Sequence, residues 1–130
     1  MGLLNSLFGK TESPKKEEKI LPWKALNTVS QLDEIATNSK NKPQLIFKHS
    51  TTCGISRMVM KMFTQAFDFS DEQLDLYYLD LHSFREVSNE TAAKFQVMHQ
   101  SPQLLIIKDG VVVSHASHGA ISDMDINQFL

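Results

Sequence analysis

The chain has 130 residues, 42% of them hydrophobic and 22% charged, which suits a single globular domain whose core needs no disulfide or metal staple. A net charge of -2 gives no electrostatic ground for binding nucleic acid, and one cysteine cannot form an internal disulfide, so a reducing compartment and a cytoplasmic location are expected. No apolar run approaches the ~20 residues that a transmembrane segment requires, so none is expected.

The opening MGLLNSLFGK lacks the early positive charge and the small-residue cleavage site of a signal peptide. Met1-Gly2 with Ser6 matches the myristoylation pattern, a match so short that it arises often by chance. Leu3, Leu4, Leu7 and Phe8 can form one apolar face of a short helix that touches a membrane or a partner, or simply fray. Lys10 to Lys19 is charged, contains Pro14 and holds no apolar residue, so residues 1–19 read as a tail and solvated linker and residues 20–130 as the domain.

Ser30 is placed to cap a helix through Asn38 that buries Leu32, Ile35 and Ala36, and Lys42-Pro43 stops it. The run Leu45-Ile46-Phe47 ends at polar His49-Ser50-Thr51-Thr52, as a buried strand entering a loop does. Beyond it Ile55, Met58, Val59, Met62, Phe63, Ala66 and Phe67 recur at spacings of three and four, which predicts an amphipathic helix. Leu76 to Leu81 reads as a second strand, and Ser83 with Glu86 forms a capping box for a helix carrying Phe84, Val87, Thr91 and Phe95 on one side. Gln103–Lys108 and Val111–Ser117 read as strands joined by Asp109-Gly110, the favoured pair for a tight hairpin, and Ser122 is placed to cap a last helix burying Ile126, Phe129 and Leu130. The order β-α-β-α-β-β-α, with an extra N-terminal helix, is that of an α/β thioredoxin-like fold on a central four-stranded mixed sheet.

That order puts Cys53 between a central strand and the first turn of the long helix, where unpaired backbone N–H groups favour a negative sulfur. The helix field contributes only about 0.3–1 kcal/mol at an exposed site, so nearby donors must add to it. Thr52, Gly54 and Ser56 are the candidate thiolate-stabilising positions, with hydroxyl donors at Thr52 and Ser56. The alternative, a buried cysteine acting as a small hydrophobe, fits poorly between Thr52 and Gly54. With serine at 56, where dithiol oxidoreductases carry a second cysteine, a mixed disulfide on Cys53 must be resolved by another molecule. Ser101-Pro102 precedes a strand at the place where this fold presents a cis-proline beside the cysteine, so both residues are candidates for pairing with an extended substrate, the alternative being an edge-strand proline with a trans bond. The five histidines lack the paired spacing of a metal site, and neither a metal nor a permanently bound cofactor is expected. His49 and His99 are candidates to lie near the cysteine face.

The blocks FKHSTTCGIS, YYLDLHSFREVSNE and HQSPQLLIIKDGVVVSHASHGAI, with LPWKALNTVSQLDEIA before them, resemble the YtxJ-type monothiol bacilliredoxins over Ile20 to Ile121. The resemblance implies a thioredoxin-like thiol–disulfide oxidoreductase that removes bacillithiol from S-bacillithiolated cytosolic proteins. It also implies Cys53 as the catalytic residue, bacillithiol as co-substrate and bacillithiolated client proteins as partners. Because bacillithiol carries malate carboxylates, it further makes Lys48 and Arg57 candidate binding residues. Gly54 departs from the proline that commonly follows the family's cysteine. The spelling Cys-Gly-Ile-Ser approaches that of monothiol glutaredoxins, which leaves an iron–sulfur cluster carrier as an alternative, although their double glycine is reduced here to Gly119. A non-catalytic adaptor using the same fold is a further alternative.

Overall fold

The computed structural model describes residues 19–130. Strand β1 (Trp23–Ala25) leads to helix α1 (Ser30–Asn38), then β2 (Gln44–His49), α2 (Gly54–Ala66), β3 (Asp75–Asp80), α3 (Arg85–Phe95) and the β4 (Gln103–Lys108) and β5 (Val111–Ser117) hairpin. Two short 3-10 segments, His118–Asp123 and Ile126–Phe129, close the chain. The sheet has five strands in the order β1-β3-β2-β4-β5, with β1, β3 and β2 parallel and the hairpin antiparallel. The expected fold is present with one strand more than the four read from sequence. Three residues of β1 are too few to show an alternation, and pairing with β3 defines them.

Strand β2 explains why both faces are covered. Every one of its residues is buried, and alternation sends Leu45 and Phe47 to one face and Ile46 to the other. On the first face α2 packs Val59, Phe63 and Phe67 against Phe47 and Leu104. On the second, α1 and α3 bring Leu32, Ile35, Val87 and Phe95 against Ile46 and Leu105. The hairpin turn has φ of 51° at Asp109 and 81° at Gly110, the paired left-handed conformation that the Asp-Gly dipeptide tolerates.

Four capping and burial expectations are corrected. Ser30 is the first helical residue of α1 and caps nothing; the longer Gln31 reaches back, its Oε1 accepting from the N–H groups of Asn27 (2.7 Å) and Thr28 (3.0 Å). The Ser83/Glu86 box does not form, because the Asp80 carboxylate takes the N–H groups of His82 and Ser83 and the Ser83 hydroxyl as well. The final helix is two 3-10 pieces, the second capped by Asp125 rather than Ser122, and Leu130 is exposed. On α2 the inward row is Ser56, Val59, Phe63 and then Phe67 just past its end, so Ile55, Met58 and Met62, one position round the helix, stay exposed. The apolar set there is wider than the surface the sheet offers.

Among the described residues no helix is long and apolar enough to cross a membrane. The readings placed on Met1, Gly2, Leu3, Leu4, Ser6, Leu7 and Phe8 lie outside the described residues. At the linker's end, the Lys19 ammonium donates to the carbonyls of Phe67 and Gln65 at the end of α2.

Candidate active site

The site stands where β2 leaves the sheet. The Cys53 N–H donates to the Ser50 carbonyl at 3.3 Å, closing a turn, and the Cys53 carbonyl accepts the Arg57 N–H at 3.1 Å as the first bond of α2. Cys53 is thus the N-cap residue, with an extended backbone (φ -105°, ψ 125°). An acceptor on an N-cap side chain faces the second and third amides of its helix, which belong here to Ile55 and Ser56. Cys53 is half-buried as a residue, and its side chain, at a helix start, makes no capping hydrogen bond. Gly54, the first residue of α2, has a negative φ, and a side chain there would meet only the Arg57 guanidinium at ordinary contact distance (3.9 Å), so the backbone does not demand glycine.

Beneath the cysteine, Ser56 is fully buried. Its Oγ accepts the Ser50 N–H at 3.0 Å and lies 2.8 Å from His49 Nδ1. Burial holds the His49 pKa below its ordinary value, with Arg57 acting in the same direction and Asp80 against it. Lowering favours the uncharged ring, and Ser56 Oγ and His49 Nδ1 share one hydrogen bond beneath the loop. This corrects the expectation for Ser56: its hydroxyl ties β2 to α2 and does not donate to the sulfur. The Thr52 hydroxyl is also engaged elsewhere, 3.3 Å from Ser50 Oγ and 3.4 Å from His82 Nε2.

Lys48 requires a second correction. Alternation points it to the α3 face with Ile46, where it is fully buried and its Nζ donates to the Ser88 carbonyl (3.4 Å) and to His99 Nδ1 (3.3 Å). Burial pushes its pKa down to about 8. It cannot meet a ligand on Cys53 from there, whereas Arg57 can. The Arg57 guanidinium is exposed and folds over the loop, Nη1 donating to the Thr51 carbonyl at 3.4 Å. His99 belongs with Lys48 and Ser88 rather than with the cysteine loop.

The Ser101-Pro102 bond is cis. Register fixes its place: Lys48 pairs with Gln103, so Pro102 lies beside His49, at the end of the sheet from which the Cys53 loop emerges. The β4 ladder begins at Gln103 and leaves Ser101 outside it, at a strand end where an extended segment can add. Sequence reasoning missed His82. Its Nε2 lies 2.8 Å from Ser50 Oγ, joining the β3–α3 loop to the cysteine loop. The signal available was position, since a polar residue just past the carboxyl end of β3 sits beside the loop that follows its parallel neighbour β2.

With this geometry the comparison with known proteins is decisive. The family model described as monothiol bacilliredoxin BrxC matches residues 24–126. The chain belongs to the monothiol bacilliredoxin family. Among solved structures, this bacilliredoxin is similar to a candidate oxidoreductase with a thioredoxin fold, at 29% identity and a TM-score of 0.67, covering 82% of this chain and 91% of the other. The thioredoxin Mala s 13 of Malassezia sympodialis matches at 14% identity and a TM-score of 0.67, over 91% of this chain and 98% of its own. Schistosoma mansoni thioredoxin matches at 21% and 0.61, over 83% and 95%. The last two show the fold alone. Family and fold together make the bacilliredoxin a thiol oxidoreductase in general class.

Proposed function

We propose that this chain removes bacillithiol from S-bacillithiolated cytoplasmic proteins, with Cys53 as the catalytic nucleophile and bacillithiol as co-substrate. The observation that carries the reading is the position of the only cysteine: half-exposed, at the N-cap of α2, on the sheet end that carries the cis Ser101-Pro102 bond, in a chain of the bacilliredoxin family. The Cys53 thiolate attacks the bacillithiol sulfur of the mixed disulfide. A sulfur–sulfur bond forms as the old one breaks, and the client leaves as a thiolate that takes a proton from water. A second bacillithiol thiolate then attacks the sulfur carried on Cys53, giving bacillithiol disulfide and the free Cys53 thiolate. Electrons balance over the cycle, since one disulfide is lost and one is formed. Because position 56 holds a buried serine, the second step is intermolecular.

Mass spectrometry of a bacillithiolated client mixed with the protein tests this. Release of unmodified client and a bacillithiol adduct on Cys53 are expected, and Cys53→Ser should abolish both. Release that survives the substitution overturns the assignment.

A further inference from the structure

Two guanidinium groups 28 positions apart in sequence, Arg57 on α2 and Arg85 at the start of α3, are both linked to the cysteine loop. Arg57 rests on the Thr51 carbonyl. Arg85 reaches the same loop through His82: its Nη2 lies 3.4 Å from His82 Nδ1, and His82 Nε2 lies 2.8 Å from Ser50 Oγ. Arginine only donates, so Nδ1 is the acceptor of the Arg85 contact. The imidazole thus links Arg85 to the cysteine loop, its Nε2 also lying 3.4 Å from Thr52 Oγ1. Among the described residues neither guanidinium has an acidic partner, because every ion pair involves Lys24, Lys42 or Lys94. The adjacent carboxylate, Asp80, is occupied by the Ser83 hydroxyl and two backbone N–H groups.

We infer that Arg57 and Arg85, with His82 as the positioning residue, form the recognition site for a small thiol whose non-sulfur end carries two carboxylates. Each guanidinium offers a planar fork that matches one carboxylate, and two forks linked to one cysteine loop favour a dicarboxylate arm over a neutral one. The inference rests on the reading that Cys53 carries such a thiol, and it replaces Lys48 by Arg85 as the second cation. His82 touches no ligand and acts by orienting Arg85.

The test uses the full chain and three disulfides without a client protein: bacillithiol disulfide, mercaptosuccinate disulfide and neutral 2-hydroxyethyl disulfide. Rates of adduct formation on Cys53 are followed by mass spectrometry. For each of Arg57→Gln and Arg85→Gln, exchange with both disulfides that carry dicarboxylate arms is expected to slow about tenfold, while the neutral disulfide changes less than about twofold. His82→Ala should reproduce the Arg85 effect more weakly, with the neutral disulfide again unmoved. Raising salt should slow only the wild type's reactions with the two carboxylate-bearing disulfides. Equal losses on all three disulfides, or no loss on the two carboxylate-bearing ones, overturn the inference. Fast bacillithiol exchange independent of both arginines would leave the proposed function standing and remove this site. Arginine-dependent exchange with mercaptosuccinate disulfide but none with bacillithiol disulfide would do the reverse.

Discussion

Lys48 shows what a single residue costs when strand alternation decides its surroundings. A lysine between Phe47 and His49 faces α3 whatever its chemistry, and there its ammonium has only a helix carbonyl and a histidine nitrogen to bind. Its folded pKa of about 8 lies below the ordinary 10.5, so from pH 8 to 10.5 the unfolded chain holds more protons and stability rises with pH. Below pH 8 the whole penalty is present, on the order of 2 kcal/mol after allowance for water reaching the exposed His99 side. Lys48→Met keeps the stem and removes the charge. Urea titrations at pH 7 should find it more stable by about that amount, with the two proteins converging above about pH 10. A variant less stable at pH 7 would mean that the amine is well solvated. The sequence alone did not disclose this burial, because a charged residue at the end of an apolar run reads equally as the start of the exposed loop.

At the scale of elements, the junction between β2 and α2 is the part of the site most dependent on local polar chemistry. The run from Ser50 to Cys53 leaves the sheet and must turn into a helix, and Ser56 closes that turn by accepting the Ser50 N–H from inside. Ser56→Ala removes the acceptor of a buried donor and should cost about 1–2 kcal/mol by chemical denaturation. Cys53 should also become more reactive toward neutral thiol probes as the loop loosens. A variant of unchanged stability would place water at the Ser50 N–H instead. The three α-helices and the hairpin were legible in sequence because spacing and the Asp-Gly turn report directly on backbone geometry. The caps were not, since Gln31 and Asp80 outbid the serines by longer reach or by charge, a competition that is decided only once the chain ends are placed. The serine at 56 was legible as a position but not as an orientation: a residue three after the N-cap can face either the sulfur or the core, and the row Val59, Phe63 turns it inward.

For the whole molecule, the parallel strands β2 and β3 gather the cysteine loop, His82 and Arg85 at one end of the sheet and leave the opposite end to hold the strands in register. Cys53 and Pro102 were legible as a pair because fold order alone brings them to one end. Arg85 was not, because its link to the site runs through a histidine in another loop. At the opposite end the register depends on Asp75, a buried carboxylate that accepts from Lys24 on β1 (2.9 Å), from Lys42 before β2 (3.1 Å) and from Gln44 Nε2 on β2 (2.8 Å). Burial by itself raises its pKa, and the hydrogen bonds from Gln44, Lys24 and Lys42 outweigh that, leaving the value below the ordinary carboxylate range. A depressed carboxylate pKa adds stability that is complete above the unfolded value and is lost as pH falls through the folded one. Asp75→Asn keeps the shape but removes the charge facing two lysines, and should cost about 1–3 kcal/mol at pH 7. The gap between variant and wild type should close as pH is lowered below about 4, where the wild-type carboxylate also becomes neutral. Thermal melts across that range check both halves of the expectation, and a gap independent of pH would assign the loss to packing. Since Asp75 sits at the far end of β3 from Asp80, Cys53 reactivity per folded molecule should be unaltered in this variant, which separates holding the sheet together from shaping the thiol site.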